Sequence, residues 1–251
     1  MINAQLETRR FSVGEHPHIV VNNDFGTIRV YRGYLSNEVA IQTTKRNRLF
    51  SSAPGSVQIS YEQDGEGKEI AITTQRENLS LANSTTEVDI DIAVPGHVDL
   101  NLTTRAGTIT VSDLFGQMIL ISNAGTITAR HCLLTGNSHL STEAGTVYFE
   151  GSLDPHGAYQ FITRFGSVHV TLLNSTSFHV DASTNLGSIT TNIPGLMAMH
   201  PNLLNSEVHG DIGDLPRATL ALHSKLGSID LQVWAAESMP GMVSENQYAL
   251  G

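Results

Sequence analysis

Residues 105–111 read RAGTITV, and the phrase returns as NAGTITA at 123–129, EAGTVYF at 143–149, RFGSVHV at 164–170 and NLGSITT at 185–191. The glycines they share, Gly107, Gly125, Gly145, Gly166 and Gly187, are 18, 20, 21 and 21 residues apart. A period near 20 with one strand-like phrase per copy predicts a coil of stacked rungs.

Counted from each glycine as zero, positions −7 and −5 are Leu100/Leu102, Met118/Leu120, Tyr159/Phe161 and Leu220/Leu222, and more weakly Ser138/Leu140 and Val180/Ala182. Position +2 is Ile109, Ile127, Val147, Val168, Ile189 and Ile229. Position +4 is Val111, Ala129, Phe149, Val170 and Leu231, with Thr191 the exception. Such alternation marks a strand with one buried face. Its parity changes at the glycine, odd positions before it and even ones after, so one extra residue is spent there. A bend or bulge at a residue tolerant of positive φ does that without exposing the core face.

The fold class read from this is all-β: a parallel β-solenoid, β-helix-like, with rungs of about 20 residues, glycine corners and Ser/Thr ladders. The corners fall at Gly26, Gly55, Gly107, Gly125, Gly145, Gly166, Gly187 and Gly227. The ladders are position −3 (Thr104, Ser122, Thr142, Thr163, Thr184, Ser224) and position +1 (Thr108, Thr126, Thr146, Ser167, Ser188, Ser228). Hydroxyls at a bend can satisfy backbone groups. The sharper alternative is a repetitive face for ice, sugar or a crystal lattice. The structural reading is the stronger, since no regular exposed Thr-x-Thr face is evident.

The first repeat already stands at residues 18–30, HIVVNNDFGTIRV, with Asn23 at −3 of Gly26. Residues 1–80 read as a less regular β part of the same coil, and 81–232 as the regular coil. RENLSLANSTTE at 76–87 is the seam between them, and YEQDGEGK at 61–68 is a hairpin turn. The step from Gly187 to Gly227 is 40, two periods, so residues 192–213 are a degenerate rung or an excursion. Residues 233–251, with the lone Trp234, read as a tail or cap.

The chain carries a net charge of −10, which argues against nucleic acid and anionic membrane as partners. Residues 1–80 hold nine basic and nine acidic residues; the remaining five and fifteen lie beyond, so the whole excess is in the second part. One cysteine, Cys132, excludes an internal disulfide. No run of about 18 apolar residues predicts membrane insertion. The first residues, MINAQLETRRFSVGEH, have no apolar run of the signal-peptide kind. The expectation is an intracellular chain, export without such a signal, or a leader missing from this sequence.

The stretches FSVGEHPHIVVNNDFGTIRVYRG (11–33), QTTKRNR (42–48) and VDIDIAVPGHVDLNLTTRAGTITV (88–111), followed by the serial AGT and LGS phrases, resemble the bacterial adhesin-like β-solenoid family, a domain of unknown function. The resemblance spans roughly residues 8–232. It implies a coil found in cell-envelope proteins, a cell-surface or extracellular setting, and no catalytic residues or cofactor to transfer.

Candidate chemistry is sparse. His16 and His18 could ligate a metal from one strand face, but no third ligand stands at metal-site spacing. Met197, Met199 and His200 could offer soft ligands, against the blander reading of an apolar loop. Asp89 and Asp91, with Asp99, could form a weak calcium patch, against a solvated acidic face. No Gly-x-Ser-x-Gly elbow and no phosphate loop occurs.

No catalytic, cofactor or metal site is therefore assigned. The favoured function is a non-enzymatic adhesin-like structural or binding scaffold with a cell-surface or glycan ligand. The alternatives are a filament subunit stacking end to end on itself, and a polysaccharide-acting enzyme.

Overall fold

A computed structural model describes residues 4–47, 57–76, 86–173, 175–196 and 204–234. Two facing sheets share one core. In order across the first sheet lie β1 (Ala4–Ser12), β4 (Glu38–Asn47), β7 (Thr86–Val94), β3 (Ile28–Arg32), β9 (Ile109–Ser112), β12 (Ile127–Leu134), β14 (Val147–Leu153), β16 (Val168–Leu173), β21 (Ile229–Trp234) and β18 (Ile189–Thr191), with the short β10 (Phe115–Gly116) beside β12. Across the second lie β19 (Leu204–Ile212), β17 (Phe178–Leu186), β20 (Ala218–Leu226), β15 (Ala158–Phe165), β13 (Asn137–Ala144), β11 (Met118–Ala124), β8 (Asp99–Ala106), β2 (His18–Phe25), β6 (Glu69–Arg76) and β5 (Val57–Gln63).

The expected parallel β-solenoid is corrected to a sandwich-like β domain. Both sheets are mixed, and no coil closes. β4 runs antiparallel to both β1 and β7, β5 to β6, and β17 to β19. The parallel strands between them do not follow chain order either: β20 inserts between β15 and β17. The glycine repeat marks an arch, where the chain leaves one sheet and enters the other. Facing sheets of any connectivity need such arches, so the repeat alone does not imply a closed coil.

The alternation is a packing fact. Leu100, Leu102, Ile109 and Val111 are each 1 % exposed or less, and the equivalent positions of the following strands join them in a continuous core. Among the described residues, Tyr159 is the one large polar ring that is fully buried. Its hydroxyl lies 2.9 Å from the carbonyls of both Leu134 and Asp154, which meets the requirement that a buried phenol find a partner. Burial pushes its ionisation up. Cys132 is buried, and desolvation pushes its thiol up to about 12, so it behaves as a small apolar side chain.

The N-terminal part is built into the same sheets, since β2 pairs β8 and β3 pairs β9. Leu204–Ile212, inside the stretch read as an excursion, forms β19 against β17. Among the described residues no helix is long and apolar enough to cross a membrane.

Candidate functional site

The arches stack into a column. Gly26, Gly107, Gly125, Gly145, Gly166, Gly187 and Gly227 all have positive φ, from +120° at Gly26 to +153° at Gly187. Gly55 lies outside the described residues. A Cβ on Gly125 would stand 1.9 Å from the Gly107 carbonyl oxygen, and one on Gly145 equally close to that of Gly125. The neighbouring arch therefore occupies the space a side chain would need. Column order follows the sheets rather than the chain: Gly227 sits over Gly166, and Gly187 over Gly227.

Position −3 secures the column. Thr142 Oγ1 donates to the Gly125 carbonyl at 3.1 Å, Thr163 to Gly145 at 3.0 Å, Ser224 to Gly166 at 2.9 Å and Thr184 to Gly227 at 2.9 Å. Each is 2 % exposed or less, so these hydroxyls face no ligand. Thr163→Val keeps the shape and deletes one such bond. Chemical denaturation should show it less stable by about 1 kcal/mol, the usual worth of a buried neutral hydrogen bond.

What the arches show to solvent is position −1. Phe165, Leu226 and Leu186 hold that position on β15, β20 and β17, and Leu204 of the antiparallel β19 is the register partner that extends their line. They are 48, 37, 46 and 66 % exposed. Ala144, Ala124 and Ala106 continue the line along β13, β11 and β8. At roughly 4.8 Å between strands, the four large side chains form an apolar ridge about 14 Å long. Position −2 gives it a charged rim, with Glu143 and Arg164 paired at 3.2 Å and Lys225 exposed beside them. The ridge was not found by reading the sequence. For Phe165, Leu186 and Leu226 the signal was present, in an apolar residue before the glycine, but alternation does not show that −2 and −1 both turn outward; Leu204 precedes Asn205 and carries no such mark.

The metal candidates do not assemble. His16 Nε2 meets Asp99 at 3.1 Å and its ring stacks on His97 at 3.6 Å, while His18 Nδ1 meets Glu69 at 3.0 Å. Asp91 pairs with Arg29 at 2.9 Å, and Asp99 Oδ1 also accepts from the Gln117 amide at 2.8 Å. Asp89 is not on a solvated acidic face. It is 6 % exposed, accepts from the Thr27 amide and pairs with Arg46 of β4, which runs alongside β7. No group of three His, Cys, Asp or Glu among the described residues could hold a metal ion. Met197, Met199 and His200 lie outside those residues.

A polar pocket of about 190 Å³ opens on the second sheet beside the first arches, lined by Asn22, Asp24, Thr103, Thr104, Arg105 and Asn123. Asn23 and Thr74 complete its wall. Asn23 Nδ2 donates to the Val88 carbonyl at 2.9 Å, and its Oδ1 accepts from Thr74 Oγ1 at 2.9 Å.

With this geometry the chain resembles solved structures rather than sequences. No protein-family model matches it, and no curated protein matches it significantly. A candidate cell adhesion protein from Clostridium sporogenes shares 12 % identity and superposes with a TM-score of 0.53, over 93 % of this chain and 100 % of that one. That likeness is one of fold. A candidate adhesin from Bacteroides fragilis is 9 % identical, with a TM-score of 0.37 over 92 % of this chain and 97 % of the other. A candidate lipid binding protein from Parabacteroides distasonis is 10 % identical, with a TM-score of 0.25 over 91 % and 96 %.

Two histidines respond to their surroundings. Partial burial and then the nearby His16 hold His97 below the usual imidazole range, and burial does the same for half-covered His139. Folding thus favours their neutral forms. That contribution is complete above the ordinary histidine pKa and is lost as pH falls below it. Between pH 7.5 and 5.5 the melting temperature should fall less in a His97→Gln/His139→Gln double variant than in the wild type, as read by calorimetry.

Proposed function

We propose that the chain is a non-enzymatic, adhesin-like binding scaffold of the cell surface or envelope, and that the arch ridge is its contact with a partner protein. The ridge of Phe165, Leu186, Leu204 and Leu226 carries this reading. Contiguous exposed apolar surface with a charged rim is what protein contact sites present. The glycine column beneath holds these side chains at fixed spacing, so little ordering is needed on binding. The shared fold with a candidate cell adhesion protein supports the same reading.

The test is retention of protein-coated beads on host-cell and extracellular-matrix surfaces under flow. Wild-type beads should be held, and a Phe165→Ser/Leu186→Ser/Leu226→Ser variant with an unchanged circular dichroism spectrum should lose most of that retention. Equal retention of the two variants, or none beyond albumin-coated beads, would refute the ridge as the contact.

A second reading, self-association, is favoured by one edge. Among the described residues, β18 covers Ile229–Leu231 of β21, and the Asn192 side chain stands in for a strand against Val233. A sheet ending so can accept another strand. Sedimentation velocity at low and high salt decides it: a concentration-independent monomer at both rules it out.

A further inference from the structure

At one end of the column Asn23 reaches the carbonyl of Val88 in β7, and at the other Ser206 reaches that of Gly187. Thr104, in the second arch, is the exception: it is fully buried and its hydroxyl has no partner. Its counterparts donate to the glycine carbonyl of the adjoining arch, as Ser122 does to Gly107 at 3.3 Å. Thr104 is also the member of this series, with Asn23, that borders the polar pocket. A buried hydroxyl without a partner costs free energy; as it stands the Thr104 hydroxyl is sealed from the pocket, and a turn about χ1 toward it would let an occupant satisfy it.

The lining defines that occupant. The amides of Asn22 and Asn123 and the Thr103 hydroxyl each donate and accept. Asp24 and Arg105 lie 3.5 Å apart, so their charges offset and the pocket selects neither anion nor cation. Among the described residues no apolar side chain lines it. A ligand matching this wall is neutral and bears several hydroxyls. At about 190 Å³ the pocket is several times the ~30 Å³ share of one water, and below the ~300 Å³ of sites for larger ligands.

We propose that this pocket binds a single neutral sugar residue, gripped at its hydroxyls by Asn22, Asp24, Arg105 and Asn123. Thr104 turns about χ1 to contribute its hydroxyl, a movement that breaks no hydrogen bond. The site goes beyond the adhesin reading and is independent of the ridge, which lies on other strands.

Titration of the full-length, isotopically labelled chain with the methyl glycosides of glucose, galactose, mannose and N-acetylglucosamine tests it by nuclear magnetic resonance. At least one glycoside should produce saturable shifts at the Asn22 and Asn123 side-chain amides. Asn123→Ala and Asp24→Asn should weaken that binding at least about tenfold, the effect of one lost polar contact of ordinary strength. Thr104→Val should weaken binding without lowering the melting temperature, whereas Thr163→Val should do the reverse. The ridge variant should bind the glycoside as the wild type does. Absence of saturation with all four glycosides overturns the proposal. So do shifts that survive in Asn123→Ala and Asp24→Asn, or a response to inorganic phosphate in place of the glycosides.

Discussion

Leu120→Asp is expected to remove roughly 4 kcal/mol of folding stability, a large share of the ~5–15 kcal/mol that holds an ordinary domain folded. Leu120 is 0 % exposed and lies in register between Leu102 and Leu140, so the new carboxylate would have apolar neighbours on both flanking strands. Its hydration would be lost without a cation to replace it. Leu226→Asp makes the same chemical change on the ridge, where the side chain is 37 % exposed, and should stay within about 0.5 kcal/mol of wild type. Urea denaturation of the pair checks both. Equal midpoints would mean that the inward and outward faces of the second sheet are wrongly assigned.

Gly145→Val should be comparably damaging for a different reason. Gly145 has φ +151°, and an added Cβ would meet the Gly125 carbonyl oxygen at 1.9 Å. That atom is backbone, held in the column and accepting from Thr142 at 3.1 Å, so it cannot step aside as a flexible side chain would. Strain at the arch and displacement of its neighbour add, for an expected loss of about 3 kcal/mol or more. Thr146→Val, one residue along, should cost less than about 1 kcal/mol, because the backbone there needs no special freedom. Thermal melts of the two variants should differ by several degrees; coincident melts would contradict the arch geometry.

The sequence shows local structure well and partnership poorly, and the reason is physical. Alternation of Leu100, Leu102, Ile109 and Val111 about Gly107 reports burial, because a period of two leaves no freedom over which face is wet. The same alternation cannot say which strand lies beside which. ATLALHSKLGSID at 218–230 is interchangeable in pattern with the phrase around Gly187, so nothing local tells β20 to enter between β15 and β17. The antiparallel pair β5 and β6 was legible in the YEQDGEGK turn, but β4 is hidden likewise, since QTTKRN reads as a generic strand whichever way its neighbour runs.

At the candidate sites, one-dimensional reading found residue types but not their company. His16 and His18 are two residues apart, yet they turn to Asp99 and Glu69 on different strands. Asn22 and Asn123 are 101 residues apart and border one pocket. Three members of the ridge were written in the residue before a glycine, and only the geometry of the arch turned them outward; the fourth, Leu204, joins through the antiparallel pairing of β19.

Strand order separates the sandwich from a chain-order coil, and cysteine cross-linking measures it most directly. In a Cys132→Ser background, Gln160→Cys with Ala221→Cys places thiols on register partners of neighbouring strands. Gln160→Cys with Asp181→Cys places them on β15 and β17, with β20 between, roughly 9.6 Å apart and beyond the ~7 Å limit for a disulfide. Mild oxidation should therefore cross-link the first pair within the monomer and leave the second reduced. A disulfide between positions 160 and 181, with none between 160 and 221, would restore the chain-order coil and contradict the fold described.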